Sequence, residues 1–212
     1  MLSDLALSAL TDVMLACELF FLAGLSLRPE VRAFSPAWIW SLTLALIGLA
    51  SMLGAIDHGF FEAIGHEGHR PMVVATRVVI VAGSLAMICA TATQYLAGKA
   101  RWALIGLGAL AAAWPLSRIL TSDDFLSVIL YYSLGLLLLA GFSAAHLRRE
   151  RHAGAMLAGI VLTLAVSAMI PLGSEGFGGL GLYASYHVLL MPIVVLLYLG
   201  GRSFRSSRGG AQ

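Results

Sequence analysis

The sequence predicts an all-α polytopic membrane protein, a bundle of seven transmembrane helices. Apolar residues make up 59% of the 212 positions and charged residues only 11%, and the mean hydropathy is +0.90. Soluble domains carry about 25% charged residues. Apolar runs of about 20 residues, the length that crosses a bilayer, recur along the whole chain. A soluble core of this size could not bury so many aliphatic side chains, whereas lipid accepts them as surface.

Short polar segments separate the predicted spans. A proline-containing stretch at 28–36 ends the first span, and His66-Glu67-Gly68-His69 ends the second. The segment 121–124 is predicted to cap the fifth helix through hydroxyl or carboxylate oxygens, and Pro115 is expected to kink the fourth. We predict a helical domain at 1–201 and a disordered cytoplasmic tail at 202–212. The spans are predicted at 4–27, 37–62, 71–97, 101–120, 123–146, 153–172 and 180–201.

The distribution of basic residues predicts the orientation. Cytoplasmic loops carry an excess of Lys and Arg. Ten of the thirteen basic residues fall on one side of the predicted membrane, so the N-terminus should lie outside and the C-terminus in the cytoplasm, which requires an odd number of spans. An Ala- and Gly-rich chain with short loops favours a plasma membrane, specifically a prokaryotic inner membrane. The formal charge of +2 argues against nucleic acid as a partner and leaves membrane lipids.

Ionisable residues inside the spans are the main functional signal. A charge at a helix centre costs about 2.5–3.5 kcal/mol, so such residues usually face the bundle interior and pair. The alternating helix directions place most of them at one depth, in the outer half, with Glu18 nearer the middle. Arg77 paired with Asp12 or Asp57 is the structural alternative. The outer set comprises Asp12, Asp57, His58, Arg77, Arg118 and His187.

The two histidines late in helix two and early in helix seven predict a metal site. Imidazole nitrogens and carboxylate oxygens are zinc ligands, and a catalytic zinc keeps one position for water. His58 and His187 would supply two ligands. A haem with these histidines as axial ligands is the alternative cofactor, and a proton- or cation-linked relay without chemistry is a further alternative. The third zinc ligand stays open among Asp12, Asp57, Glu62, His66 and His69.

Two segments around these histidines resemble the CREST superfamily of seven-helix membrane proteins, which includes alkaline ceramidases and progestin and adiponectin receptors. Its members carry Ser-x-x-x-His on helix two, an Asp on helix three and His-x-x-x-His on helix seven. Here Gly54 and His58 occupy the first motif, and Tyr183 and His187 occupy the last. Helix three offers Arg77 in place of the Asp.

The resemblance implies a zinc-dependent hydrolase of a lipid amide or ester. His58 and His187 would then be metal ligands, and Asp57 or Asp12 would orient the water or act as base. Glu18, Arg77 and Tyr183 would complete the polar cluster, with Tyr183 available where the family has a histidine. The alternative is a non-catalytic relative that binds a lipid or small ligand, as a sensor or transporter.

Overall fold

The computed structural model describes residues 3–62, 66–122, 125–173 and 175–207. This part of the chain is entirely helical, with no β-strand. A five-residue π-helical turn, Asp57–Phe61, continues the second helix. The α-helices are α1 (Asp4–Ser26), α2 (Pro36–Ile56), α3 (His69–Tyr95), α4 (Gly98–Thr121), α5 (Leu126–Ala145), α6 (Ala153–Ser167) and α7 (Leu182–Gly201).

Six of these helices are long and apolar enough to cross a membrane, so the chain has the architecture of a multi-pass membrane protein. The exception is α6, which has 15 residues, whereas a span needs about 20. The count of seven spans, the orientation of the termini and the assignment to a prokaryotic inner membrane therefore stay predictions.

Local sequence signals explain where the helices begin and end. Ser3 and Ser35 cap α1 and α2 through their side-chain oxygens, and Pro36 follows at the first position of α2, where proline is favoured. Phe125 is the N-cap residue of α5 and its side chain makes no capping hydrogen bond; Asp123 and Asp124, of the predicted cap, lie outside the described residues. The α6 helix ends five residues before the predicted boundary at 172, because Pro171 disfavours helical backbone just ahead of it.

Six helices form a closed ring in the order α1, α2, α3, α5, α6, α7 and back to α1. The α4 helix lies outside this ring and packs on α3 and α5. Its exposed side includes Trp102, Leu110 and Leu120, which suits a lipid-facing helix. We call the end of the ring where α1 begins and α2 ends the N-terminal face, and the opposite end the C-terminal face.

The segment after α7 packs across the C-terminal face. Phe204 is 3% exposed and its ring lies 5.5 Å from that of Trp40. The Arg205 N–H donates to the Gln94 side chain at 3.0 Å, and the Arg32 N–H donates to a carbonyl of the same segment at 2.8 Å. Residues 202–207, the first part of the predicted tail, are therefore attached to the bundle. Residues 208–212 lie outside the described residues, so their disorder stays a prediction.

Candidate functional site

The ring encloses a cavity of about 230 Å³. Each of the six ring helices contributes lining residues, and α4 contributes none among the described residues. Most of the lining is apolar, but Asp12, His58 and His187 line it together. Asp12 is eight residues from the start of α1, about 12 Å along the helix, and His187 is five residues from the start of α7, about 7.5 Å. The polar end of the cavity is therefore near the N-terminal face.

Asp12 lies between the two histidines. Its carboxylate is 3.2 Å from Nε2 of His187 through Oδ1, and 3.7 Å from Nε2 of His58 through Oδ2. The residue is 3% exposed, and the Ser51 hydroxyl reaches the same carboxylate. We call Asp12, His58 and His187 the polar triad. A buried carboxylate needs polar partners, and the two imidazoles and Ser51 are the polar groups beside it.

Gly54 makes room for this carboxylate. A Cβ atom at this position would lie 3.0 Å from Oδ2 of Asp12 and 3.6 Å from its Cγ. Gly54 is also the position where the CREST motif has serine. A serine there would crowd Asp12, so the departure from the motif and the presence of an acid on α1 are sterically linked.

His58 sits on the π-helical turn. Such turns interrupt α-helices mostly at functional sites, because the extra residue turns neighbouring side chains by a different angle. Nδ1 of His58 is paired with the Glu62 carboxylate, one turn later, and its ring lies 5.7 Å from that of Tyr183. Both partners leave Nε2 of His58 directed at Asp12.

His187 is fixed by α1. Its Nδ1 lies 3.2 Å from Oγ1 of Thr11. The Thr11 hydroxyl has carbonyl acceptors at Leu7 and Ser8, at 2.9 and 3.0 Å, so its proton goes to the backbone and its lone pair faces the imidazole. This assigns the His187 proton to Nδ1, and leaves Nε2 to share a further proton or a cation with Asp12.

The result is a continuous polar chain, Glu62–His58–Asp12–His187–Thr11. Its exposure falls from 29% for the Glu62 side chain to 16% for His58 and 9% for His187. Both imidazoles present Nε2 to one carboxylate and anchor Nδ1 on a separate polar group. An imidazole held in this way has a fixed tautomer and ring orientation, which is the arrangement found around metal-binding histidines.

Asp57, one of the two acids that the sequence offered as a base, has a different partner. Its Oδ1 lies 2.9 Å from Nδ1 of His69, at the start of α3. Asp57 is buried, but it does not line the cavity. Adjacent residues on a helix face different directions, so Asp57 turns away from the triad while His58 turns towards it.

The supporting residues that the sequence named are also separated. Tyr183 lies beside His58 and lines the cavity. The guanidinium of Arg77 lies 3.5 Å from the Ser122 carbonyl oxygen and 5.3 Å from the centre of the Phe125 ring. Glu18 is partly buried on α1 and is not among the described residues that line the cavity. The structure thus brings Tyr183 to the triad, and gives Arg77 and Glu18 other surroundings.

The donor set fits a metal ion in its chemistry. Two ligands of a tetrahedral zinc with bonds of about 2.0–2.1 Å lie about 3.3 Å apart, and the two N–O separations here are 3.2 and 3.7 Å. Throughout the described ranges, however, no group of three or more His, Cys, Asp or Glu side chains is already arranged as a metal site. As it stands, the triad is one carboxylate with an imidazole nitrogen at 3.2 Å and another at 3.7 Å.

Comparison with known proteins places the whole bundle in one family. The profile of a family of unknown function, DUF6962, matches residues 7–206. The chain belongs to this family. The match includes all three residues of the polar triad and the segment packed across the C-terminal face. No curated protein and no solved structure matches the chain.

The sequence analysis did not identify three residues of the site. Ser51 precedes His58 by seven residues, about two helical turns, and so shares its face of α2. Thr11 adjoins Asp12 on the buried face of α1. Tyr186, beside His187, has its ring 5.4 Å from the imidazole. Hydroxyl residues on apolar helices are common, so this spacing alone would not have selected them.

Proposed function

We propose that this member of DUF6962 is a metal-dependent membrane hydrolase that cleaves an amide or ester bond of a lipid. The observation that carries the proposal is the presentation of two Nε2 atoms to one buried carboxylate. The resemblance of the segments around His58 and His187 to the CREST motifs supports the same chemistry. In the predicted orientation the site lies on the extracytoplasmic side.

The metal ligands in this proposal are His58, His187 and one carboxylate oxygen of Asp12. Two histidines and one carboxylate are a recurring ligand set of catalytic zinc. Glu62 and Thr11 hold the two rings through Nδ1 and so fix the direction of Nε2. A bound zinc would supply a Lewis acid and lower the pKa of a coordinated water.

The chain's own groups account for the proton. In hydrolysis, water oxygen bonds to the acyl carbon and the C–N or C–O bond breaks. The second carboxylate oxygen of Asp12 accepts the proton that the water loses and then gives it to the leaving nitrogen or oxygen. The products are a carboxylic acid and an amine or alcohol. The buried position of Asp12 excludes bulk water from competing for that proton.

Access from the lipid supports a lipid substrate. A groove between α1 and the π-helical turn is lined by apolar side chains that include Leu10 and Phe60, which are 50% and 72% exposed. His58 lines both this groove and the internal cavity. A lipid tail lying in the groove would therefore bring its head to the wall of the site.

Metal analysis of the purified chain tests the proposal. We expect about one metal ion per chain, lost in His58→Ala, His187→Ala and Asp12→Asn. His69→Ala is the matched control, because His69 lies at the same face and pairs with Asp57, and it should keep the metal. Cleavage of a panel of fluorogenic acyl amides and esters should follow metal content. Equal metal content in wild type and the three triad variants would overturn the proposal.

A non-catalytic ligand-binding protein is the second candidate. The direct contact between Asp12 and both imidazoles, at 3.2 and 3.7 Å, favours it, because these contacts alone already hold the triad together. A haem protein is less well supported, because the carboxylate lies between the rings where the macrocycle and iron would be needed. Absence of metal together with saturable binding of a lipid would favour the non-catalytic ligand-binding protein.

A further inference from the structure

We propose a second polar binding site in the same cavity, beside the polar triad, which takes an uncharged hydrogen-bonding head group of a single-chain lipid. This inference deepens the proposed function and rests on it for the meaning of the bound lipid. The site consists of four hydroxyl residues that line the cavity from α3, α5, α6 and α7. We call Thr76, Tyr132, Ser167 and Tyr186 the hydroxyl cluster.

Thr76 provides the observation that carries this inference. Its Oγ1 is completely buried and has no hydrogen-bond partner within the described part of the chain. Threonine in a helix usually donates back to the carbonyl four residues earlier, as Thr43, Thr91 and Thr163 do here at 2.8–3.0 Å. A buried hydroxyl without a partner is unfavourable, so the cavity is expected to supply one.

The other hydroxyls surround the same space. Ser167 Oγ is also buried without a hydrogen bond of normal geometry, although the Tyr186 hydroxyl lies near it. Tyr132 and Tyr186 line the same cavity. Of the adjacent pair on α5, Tyr132 lines the cavity, whereas Tyr131 donates to the Gly108 carbonyl at 2.9 Å.

The charge of the cavity wall defines the head group. No Lys or Arg is found among the described residues that line the cavity. A phosphate would therefore be buried without a counter-charge and next to the carboxylate of Asp12, which is strongly unfavourable. Hydroxyl groups donate and accept hydrogen bonds without net charge. An alcohol or amide head suits this wall, and a phospholipid head does not.

The remaining lining defines the tail. From His187 to Leu197 on α7 the lining extends over ten residues, about 15 Å along the helix. Leu15, Leu19 and Val194 line the part towards the C-terminal face. A cavity of about 230 Å³ has room for one extended alkyl chain and a small head. The ligand class is thus a neutral single-chain alcohol or amide.

Binding of radiolabelled decanol to the full chain in lipid nanodiscs tests this inference, with binding to empty nanodiscs subtracted. We expect saturable binding at one molecule per chain, weakened about 3- to 10-fold in Thr76→Val, the factor for one lost neutral hydrogen bond. Thr76→Ser should bind as wild type. Ser127→Ala is the matched control, because Ser127 Oγ is equally buried and unpartnered but does not line the cavity; it should also bind as wild type.

Decyl phosphate distinguishes the head groups and should not compete with decanol. Unchanged binding in Thr76→Val, or competition by decyl phosphate as strong as by unlabelled decanol, would overturn the inference. If Thr76→Val does not fold, the folded Thr76→Ser variant is measured instead, and loss of decanol binding in that variant would overturn the inference. The two proposals fail separately. A wild-type chain that holds no metal but binds decanol in a Thr76-dependent way leaves the hydroxyl cluster standing and the hydrolase refuted, whereas metal that depends on the triad without Thr76-dependent decanol binding does the reverse.

Discussion

Replacing Gly54 by alanine should damage the polar triad while leaving the bundle folded. The new Cβ would lie 3.0 Å from Oδ2 of Asp12, the oxygen that faces His58. Carbon and oxygen atoms rarely approach so closely, so the carboxylate must move by a few tenths of an ångström. Overpacking costs about 1–3 kcal/mol, and exchange of a helical glycine for alanine returns about 0.5–1 kcal/mol. The net loss of stability should be about 0–2.5 kcal/mol.

Gly54→Ala should weaken metal binding more than it weakens the stability of the fold. Disturbing the groups that orient metal ligands typically weakens metal affinity by 10–100-fold. Metal retention is measured by titration with a competing chelator, and stability by thermal unfolding of the same samples. Gly106→Ala is the control, because a Cβ there meets nothing within 4 Å and α4 lies outside the ring. A Gly54→Ala variant that retains metal as tightly as wild type would refute the placement of Asp12 in the site.

Three further predictions concern packing and metal dependence. Gly200→Ala should destabilise the bundle by about 3 kcal/mol, because its Cβ would lie 2.7 Å from the Cα of Met156. Gly141→Ala is the control, since a Cβ at Gly141 meets nothing within 4 Å. Equal melting temperatures of the two variants would contradict the close packing of α6 on α7. Phe204→Ala should lower the free energy of unfolding by about 3 kcal/mol, because it removes the contact with Trp40. A protease should then cleave the segment after α7 faster than in wild type, and an unchanged cleavage rate would count against attachment of this segment. Chelator treatment should abolish hydrolysis and zinc should restore it; full activity in the metal-free chain would exclude the proposed mechanism.

The structure gives a place to each residue that differs from the CREST motifs, which these segments only resemble. Helix three lacks the expected acid, and α1 instead supplies Asp12 at the same end of the ring. Gly54, in place of serine, leaves the space that this carboxylate fills. Tyr183, in place of histidine, lies against the ring of His58 rather than offering a third imidazole. Each of the three differences therefore has a defined place around Asp12 and His58.

The helices were predictable from the sequence because lipid imposes one simple requirement. A chain crossing hydrocarbon must satisfy its backbone hydrogen bonds within each segment, so a run of about 20 apolar residues is sufficient evidence for a helix. The helix boundaries agree with the predicted spans to within a few residues at most ends. The exception is the end of α6, where Pro171 stops the helix early. The convergence of His58 and His187 was also predictable, because helix direction fixes their depth.

The partners within the site were decided by rotation of the helices about their axes, and the sequence carries little information on it. In a soluble helix an apolar stripe marks the buried face, but here lipid-facing and core-facing residues are equally apolar, so packing between helices sets the rotation. Only the tertiary structure therefore decided that Asp12, and not Asp57, meets both imidazoles. The same packing placed α4 outside the ring and Phe204 against Trp40. The sequence by itself determined a helical membrane protein with histidines at a common depth; the packing of its helices determined what those histidines touch.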